Sequence, residues 1–235
     1  MERLCLRTPW FSQFVGTTRV LYCVSACCRS ILVRRGATPV PSVRALDALG
    51  RRLKRSNVPG LDPVSAAMLL TRLDPSHQYH YYRFGSKETA ARGLVAWLRR
   101  SRCPAIAFTL AGQHTVLVIG YELSRSTAPD GIPSIAALLV MDPLRGDLQR
   151  ATARRRPDKS RSHRFKVGAR IPMQAWNSDE WWFAFAWWVW TEDPATSLDR
   201  TDGAYALPHW TNQYVVVVAD DDDAPSDREG RIVLT

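Results

Sequence analysis

The chain has 235 residues, 46% of them apolar, with a formal net charge of +10. This is long and apolar enough to bury a full core, and 23% charged residues with nine tryptophans exclude a disordered chain. Five cysteines, an odd number, exclude a disulfide scaffold, and no apolar run reaches the roughly 18 residues that span a bilayer. Only four of the 32 basic residues are lysine (Lys54, Lys87, Lys159, Lys166), so the charge reflects an arginine bias of composition and weighs little toward nucleic acid.

The amino end carries Glu2, Arg3 and Arg7 with no apolar region directly after them, so it does not read as a signal peptide. A reducing, cytoplasmic compartment is the default expectation, with secretion open if the true N-terminus differs. Tyr22–Arg35 reads as a helix: Val24, Cys27, Cys28 and Ile31 make one apolar stripe, and Gly36 stops it before Pro39 and Pro41. Cys27 and Cys28 on that stripe read as small core residues. Cys23 lies about a quarter-turn off it, at the helix start, where free N–H groups and the helix dipole favour a thiolate. Ser42–Arg55 is a second helix, basic, with Val43, Leu46, Leu49 and Leu53 in period. Pro59-Gly60 marks a turn, and Asp62 caps a third helix with Pro63 in its first position, running to about Arg72. Gln78–Phe84 is a short aromatic strand, and Ser86 caps a fourth helix that buries Leu94, Trp97 and Leu98.

After residue 102 the period becomes extended. Strands are expected at Pro104–Leu110, Thr115–Tyr121 and Ile135–Met141, with a turn at 111–113 and a loop over 122–134. Residues 150–170 hold nine Lys/Arg and one Asp and read as a solvated loop. Trp181–Trp190 fits a capped helix or a buried strand, and reads as core rather than as a binding face. Gln213–Ala219 is a late strand, and Asp220–Asp223 opens an acidic, frayed tail. The expectation is an α+β fold with N-terminal helices on a C-terminal antiparallel sheet, a single domain over 1–219, and a disordered acidic tail over 220–235.

If the strands over 115–121 and 135–141 form a hairpin with Tyr121 opposite Ile135, His114 comes opposite Asp142, and the two side chains can pair at one end of the sheet. Such pairs are often mere surface polar contacts; a nucleophile close by would make this one chemical, and Cys23 is the best placed thiol. Cys5 has no such setting, and Cys103 precedes Pro104 at a strand start. A metal site would draw on Cys23, Cys27, His77, His80 and His114, but no Cys-x-x-Cys occurs, so neither metal nor cofactor is expected.

Here the residues resemble a family. Tyr22-Cys23-Val24-Ser25-Ala26 is similar to the Cys-x-x-Ala nucleophile segment of papain-like cysteine peptidases of the C39-like group. Cys103-Pro104-Ala105-Ile106-Ala107, Gly112-Gln113-His114 before its strand, and Met141-Asp142-Pro143 with Gly146 resemble that group's later motifs, over about residues 13–150. The resemblance implies a papain-like layout and hydrolysis of a peptide or isopeptide bond in a peptide or protein substrate. Cys23 would be the nucleophile, His114 the general base and acid, and Asp142 the orienting carboxylate. The family's oxyanion glutamine has its nearest counterpart in Gln13, ten residues before Cys23. The rivals are an acyltransferase or deamidase using the same triad, an inactive papain-like module that binds a protein through its tryptophan-rich region, and a basic nucleic-acid binder.

Overall fold

The two caps read from the sequence, Asp62 and Ser86, each start a helix. The structure, a computed structural model, describes residues 2–14, 22–54, 60–109, 114–127, 133–144, 169–177 and 213–220. Helix α1 is Cys23–Arg35, ended by Gly36 in the left-handed region at φ 77°. Helix α2, Val43–Leu53, begins where the Ser42 hydroxyl accepts from the Ala45 N–H at 3.2 Å. Helix α3, Pro63–Leu73, carries a full capping box between Asp62 and Ser65. Helix α4, Lys87–Ser101, is capped by Ser86 onto the Thr89 N–H at 3.2 Å.

The strands are β1 (Arg3–Cys5), β2 (Gln78–Phe84), β3 (Ala105–Thr109), β4 (His114–Thr127), β5 (Pro133–Met141), β6 (Ala169–Pro172) and β7 (Tyr214–Asp220). They make one seven-stranded sheet in the order β2-β7-β3-β4-β5-β6, with all described pairings antiparallel. β1 pairs with the far half of β4, past the end of β3. Gly120 is required there: a Cβ on it would lie 2.1 Å from the Leu4 carbonyl oxygen. A single helical turn, Met173–Trp176, follows β6.

Helices α1, α2 and α3 pack on one another, and α1 and α3 cover one face of the sheet. α4 covers the other, where its Trp97 ring stands 4.4 Å from the Tyr82 ring and 6.3 Å from that of Phe84. Ile31, Leu32, Leu46, Leu70 and Leu94 are fully buried between these layers, each contributing about 1.5–3 kcal/mol by removal from water.

Four local expectations are corrected. Residues 122–127 are strand rather than loop, because β4 runs on against both β1 and β5. β5 begins at Pro133, and Ala169–Arg170 belong to β6 rather than to a solvated loop. Asp220 ends β7 opposite Gln78. The β4–β5 register differs by two to three residues from that expected: Ile135 faces Leu123 rather than Tyr121, Tyr121 faces Leu138, and Leu117 faces Met141. The two-residue offset is the same at Leu123–Ile135 and at Leu117–Met141; the irregularities at Val118/Gly120 and Glu122/Leu123 widen it to three only between them. The turns over 55–59 and 110–113, the basic stretch over 150–168, Trp181–Trp190 and the tail from 221 lie outside the described residues.

Candidate active site

Cys23 is the first residue of α1, and the residue before it, Tyr22, makes no side-chain cap. The leading N–H groups of the helix are therefore left to the thiol, and that of Val24 bonds it. β4 begins with His114, and Asp142 follows the last residue of β5. Continuing the Leu117–Met141 register sets Asp142 level with Val116, two residues along β4 from His114. A diagonal of that kind keeps the same side of the pleat and is within reach of long side chains. The expected pair therefore forms by diagonal rather than direct opposition: His114 Nε2 lies 2.9 Å from Asp142 Oδ1.

With Nε2 committed to Asp142, Nδ1 is the ring nitrogen left for Cys23, whose thiol hydrogen-bonds the His114 side chain. The Cys23 sulfur also lies 3.6 Å from Thr115 Oγ1. Cys23 is 8% exposed, His114 7% and Asp142 2%, so the three form a nearly dry line of contacts.

Asp142 is held at three points. Its Oδ1 also accepts from the Leu144 N–H at 2.8 Å. Its main-chain carbonyl accepts from the Trp10 indole N–H at 2.9 Å. The next carbonyl, of Pro143, accepts from the Gln13 N–H at 3.1 Å. The segment after β1 thus lies along the turn that carries the acid, and brings Gln13 with it. Gln13 is fully buried, and neither atom of its side-chain amide has a hydrogen-bond partner among the described residues.

The electrostatics follow from these contacts. Burial alone would push the Cys23 thiol up, but the hydrogen bond and charge of His114, with Thr115 and the Val24 N–H, hold it below the ordinary thiol value. Burial works against a charged His114 ring, and the bonds to Asp142 and Cys23 override it and raise the ring to about 10. The arrangement favours thiolate beside imidazolium, the state of an activated nucleophile.

The other cysteines differ. All five are free. Burial pushes Cys27 and Cys28 well up, as expected of core thiols, and Cys5 is exposed. Of the residues weighed for metal, His77 sits against Asp74 and Arg35 and His80 is on the surface of β2. Among the described residues, no group of three or more His, Cys, Asp or Glu side chains is placed to hold a metal ion. Thr115 and Trp10 were not singled out from the sequence. A buried threonine directly after the histidine, in an otherwise apolar strand, is the signal that marks Thr115.

No family model matches the sequence, and no curated protein matches it. Among solved structures the chain is similar to UfSP from C. elegans, a cysteine protease, at a TM-score of 0.53 and 16% identity over 96% of this chain. It covers 35% of that chain, about a third of its length. It is also similar to a double glycine motif protease from an AMS/PCAT transporter, solved with its leader peptide, at a TM-score of 0.41 and 14% identity, covering 74% of this chain and 85% of that one. The likeness to UfSP shows the fold: α+β, in the layout of papain-like cysteine peptidases.

Proposed function

We propose that this chain is a thiol-dependent peptidase of the C39-like kind, cleaving a peptide or isopeptide bond through Cys23, His114 and Asp142. The observation that carries the reading is the His114 ring, bonded to Asp142 Oδ1 at 2.9 Å on one side and interacting with the Cys23 thiol on the other. In this mechanism His114 takes the Cys23 proton, and the thiolate attacks the substrate carbonyl. The tetrahedral oxyanion collapses to a thioester as His114 gives its proton to the leaving amine. Water, deprotonated by His114, then hydrolyses the thioester and frees the thiol. Asp142 keeps the ring in the tautomer that leaves Nδ1 toward sulfur, and stabilises its cation.

Gln13 is the oxyanion donor in this reading. A buried amide without partners costs about 1–3 kcal/mol, a cost that a structural residue in an apolar setting would not retain. An amide reserved for a charge that exists only during the reaction accounts for it. The Cys23 backbone N–H, at the helix tip, is the second donor.

The test has two parts. Iodoacetamide near pH 6, with labelling read peptide by peptide, is expected to modify Cys23 ahead of the other four cysteines. A peptide library digested with wild type and with Cys23→Ala is expected to show new termini only with wild type. Equal labelling of all accessible cysteines, with no new termini, would leave an inert papain-like module.

A further inference from the structure

We propose that the Thr115 hydroxyl is a further catalytic group, one that donates a hydrogen bond to the Cys23 sulfur once His114 has taken its proton. The inference rests on the reading of Cys23 as nucleophile and extends it to a residue outside the triad.

The starting point is placement. Thr115 is 1% exposed, and the run that follows it, Val116 to Ile119, is apolar and buried. Its main chain pairs with Phe108 of β3, so the backbone is served by the sheet and the hydroxyl is a separate question. A buried hydroxyl is costly unless bonded, and valine fits the same position and β-propensity without that cost. Among the described residues its partner is the Cys23 sulfur at 3.6 Å.

A neutral thiol serves this hydroxyl poorly, because sulfur is a weak donor and a weak acceptor. A thiolate serves it well, because hydrogen bonds to an ionised partner are about twice as strong as neutral ones. Thr115 therefore discriminates between the two protonation states of the same atom. On ionisation the S–H proton passes to His114 Nδ1, the Thr115 O–H turns to point at sulfur, and no atom need move far. This places two donors on the thiolate from adjacent residues of β4, the imidazolium and the hydroxyl, and a third from the Val24 N–H at the helix tip. Among the described residues, the further titratable groups coupled to this thiol and its histidine are Cys27 and Cys28 on α1 and Asp142 behind the ring. On α2, which packs on α1, Asp47 is engaged by Ser25 and Arg51. None of these changes when the hydroxyl is removed.

The experiment is the pH profile of iodoacetamide alkylation at Cys23, read on its own peptide, in wild type, Thr115→Val, Thr115→Ala and Thr115→Ser. The acid limb, where the thiolate forms, is expected to move up by about one pH unit in the valine and alanine variants. At a fixed pH on that limb, labelling then slows about tenfold. Any alkaline inflection, which belongs to His114, stays in place, and serine restores the acid limb. A role in packing alone predicts that valine, nearly isosteric, leaves the profile unchanged. The proposal is overturned if the acid limb stays put in both valine and alanine, or if serine does no better than valine. Should wild-type Cys23 show no acid limb below that of an ordinary thiol, the triad reading itself fails, and this proposal with it.

Discussion

Two clusters among the described residues each contain a cysteine, a histidine and an aspartate. The first is Cys23, His114 and Asp142. The second lies where α1 and α3 end and β2 begins, and holds Cys103, His77, Asp74, Tyr79, Ser76 and Arg35. In the second, Asp74 is spent on other partners. It accepts from the Tyr79 hydroxyl at 2.8 Å and from Arg35 at 3.3 Å, as well as from Ser76. His77 faces Asp74 and Arg35 rather than the thiol. Among the described residues the Cys103 sulfur hydrogen-bonds the Tyr79 hydroxyl, at 3.9 Å, and it sits between the end of α4 and Pro104 rather than at a helix start. Burial therefore prevails, and its thiol is pushed up to about 11, whereas that of Cys23 is drawn down. The same residue types give a clamp in one place and a nucleophile in the other. The order of the hydrogen bonds and the helix tip decide which.

The largest expected break of this contrast is His114→Ala. Alkylation of Cys23 near pH 6 should fall by about 10²–10⁴-fold, while Tyr79→Phe should leave Cys103 unlabelled. In wild type, the labelling rate should level off above the acid limb and change again only where His114 loses its proton near pH 10. Next comes Gln13→Ala. The p-nitrophenol burst from p-nitrophenyl acetate, which passes through an oxyanion, should drop by about 10²–10³-fold. Iodoacetamide alkylation, a displacement at carbon with no oxyanion, should be unaffected; equal loss in both assays would assign Gln13 to structure alone.

A smaller effect is expected at the clamp. Asp74→Asn should lower stability at pH 7 by about 1–3 kcal/mol in urea titrations. Asp74 is buried, which raises its carboxyl, but the bonds from Ser76 and Tyr79 with the charges of His77 and Arg35 hold it below the ordinary value. Its contribution is present above the unfolded pKa of about 3.9 and is lost as pH falls through the lower folded value. The asparagine variant should therefore show a shallower loss of stability in acid. A slope equal to that of wild type would remove Asp74 from the account. The smallest effect is Trp10→Phe, which removes the donor to the Asp142 carbonyl. It should cost about 0.5–1.5 kcal/mol of stability and slow Cys23 labelling by less than about tenfold, with no change in which cysteine reacts.

The elements that position the nucleophile were legible because their signals are local: Gly36 as a stop, Asp62-Pro63 as a start, Ser86 as a cap. The His114–Asp142 pair was also legible, though through a register that differs, since a shift of two residues preserves the face. A shift of one would have separated them. β1 was not legible, because Arg3–Cys5 shows no period and is set by pairing with β4 and by the ion pair of Glu2 with Arg99. The end of β4 was missed although Tyr121 and Leu123 alternate with Glu122. Glu122 reads as solvated in sequence, yet it is buried and held by Arg3 and Arg170. The clamp was missed because Arg35 and Cys103 come to the 74–79 stretch from distant parts of the chain. Gln13 was reached through family resemblance alone, since nothing local distinguishes it.

The most direct test of the central claim is the ultraviolet absorbance of thiolate near 240 nm, followed with pH in wild type, Cys23→Ser and His114→Ala. The account predicts a thiolate step in wild type below the ordinary thiol value of about 8.5, absent in Cys23→Ser and displaced upward in His114→Ala. A wild-type step only in the ordinary range, unmoved by loss of His114, would contradict it.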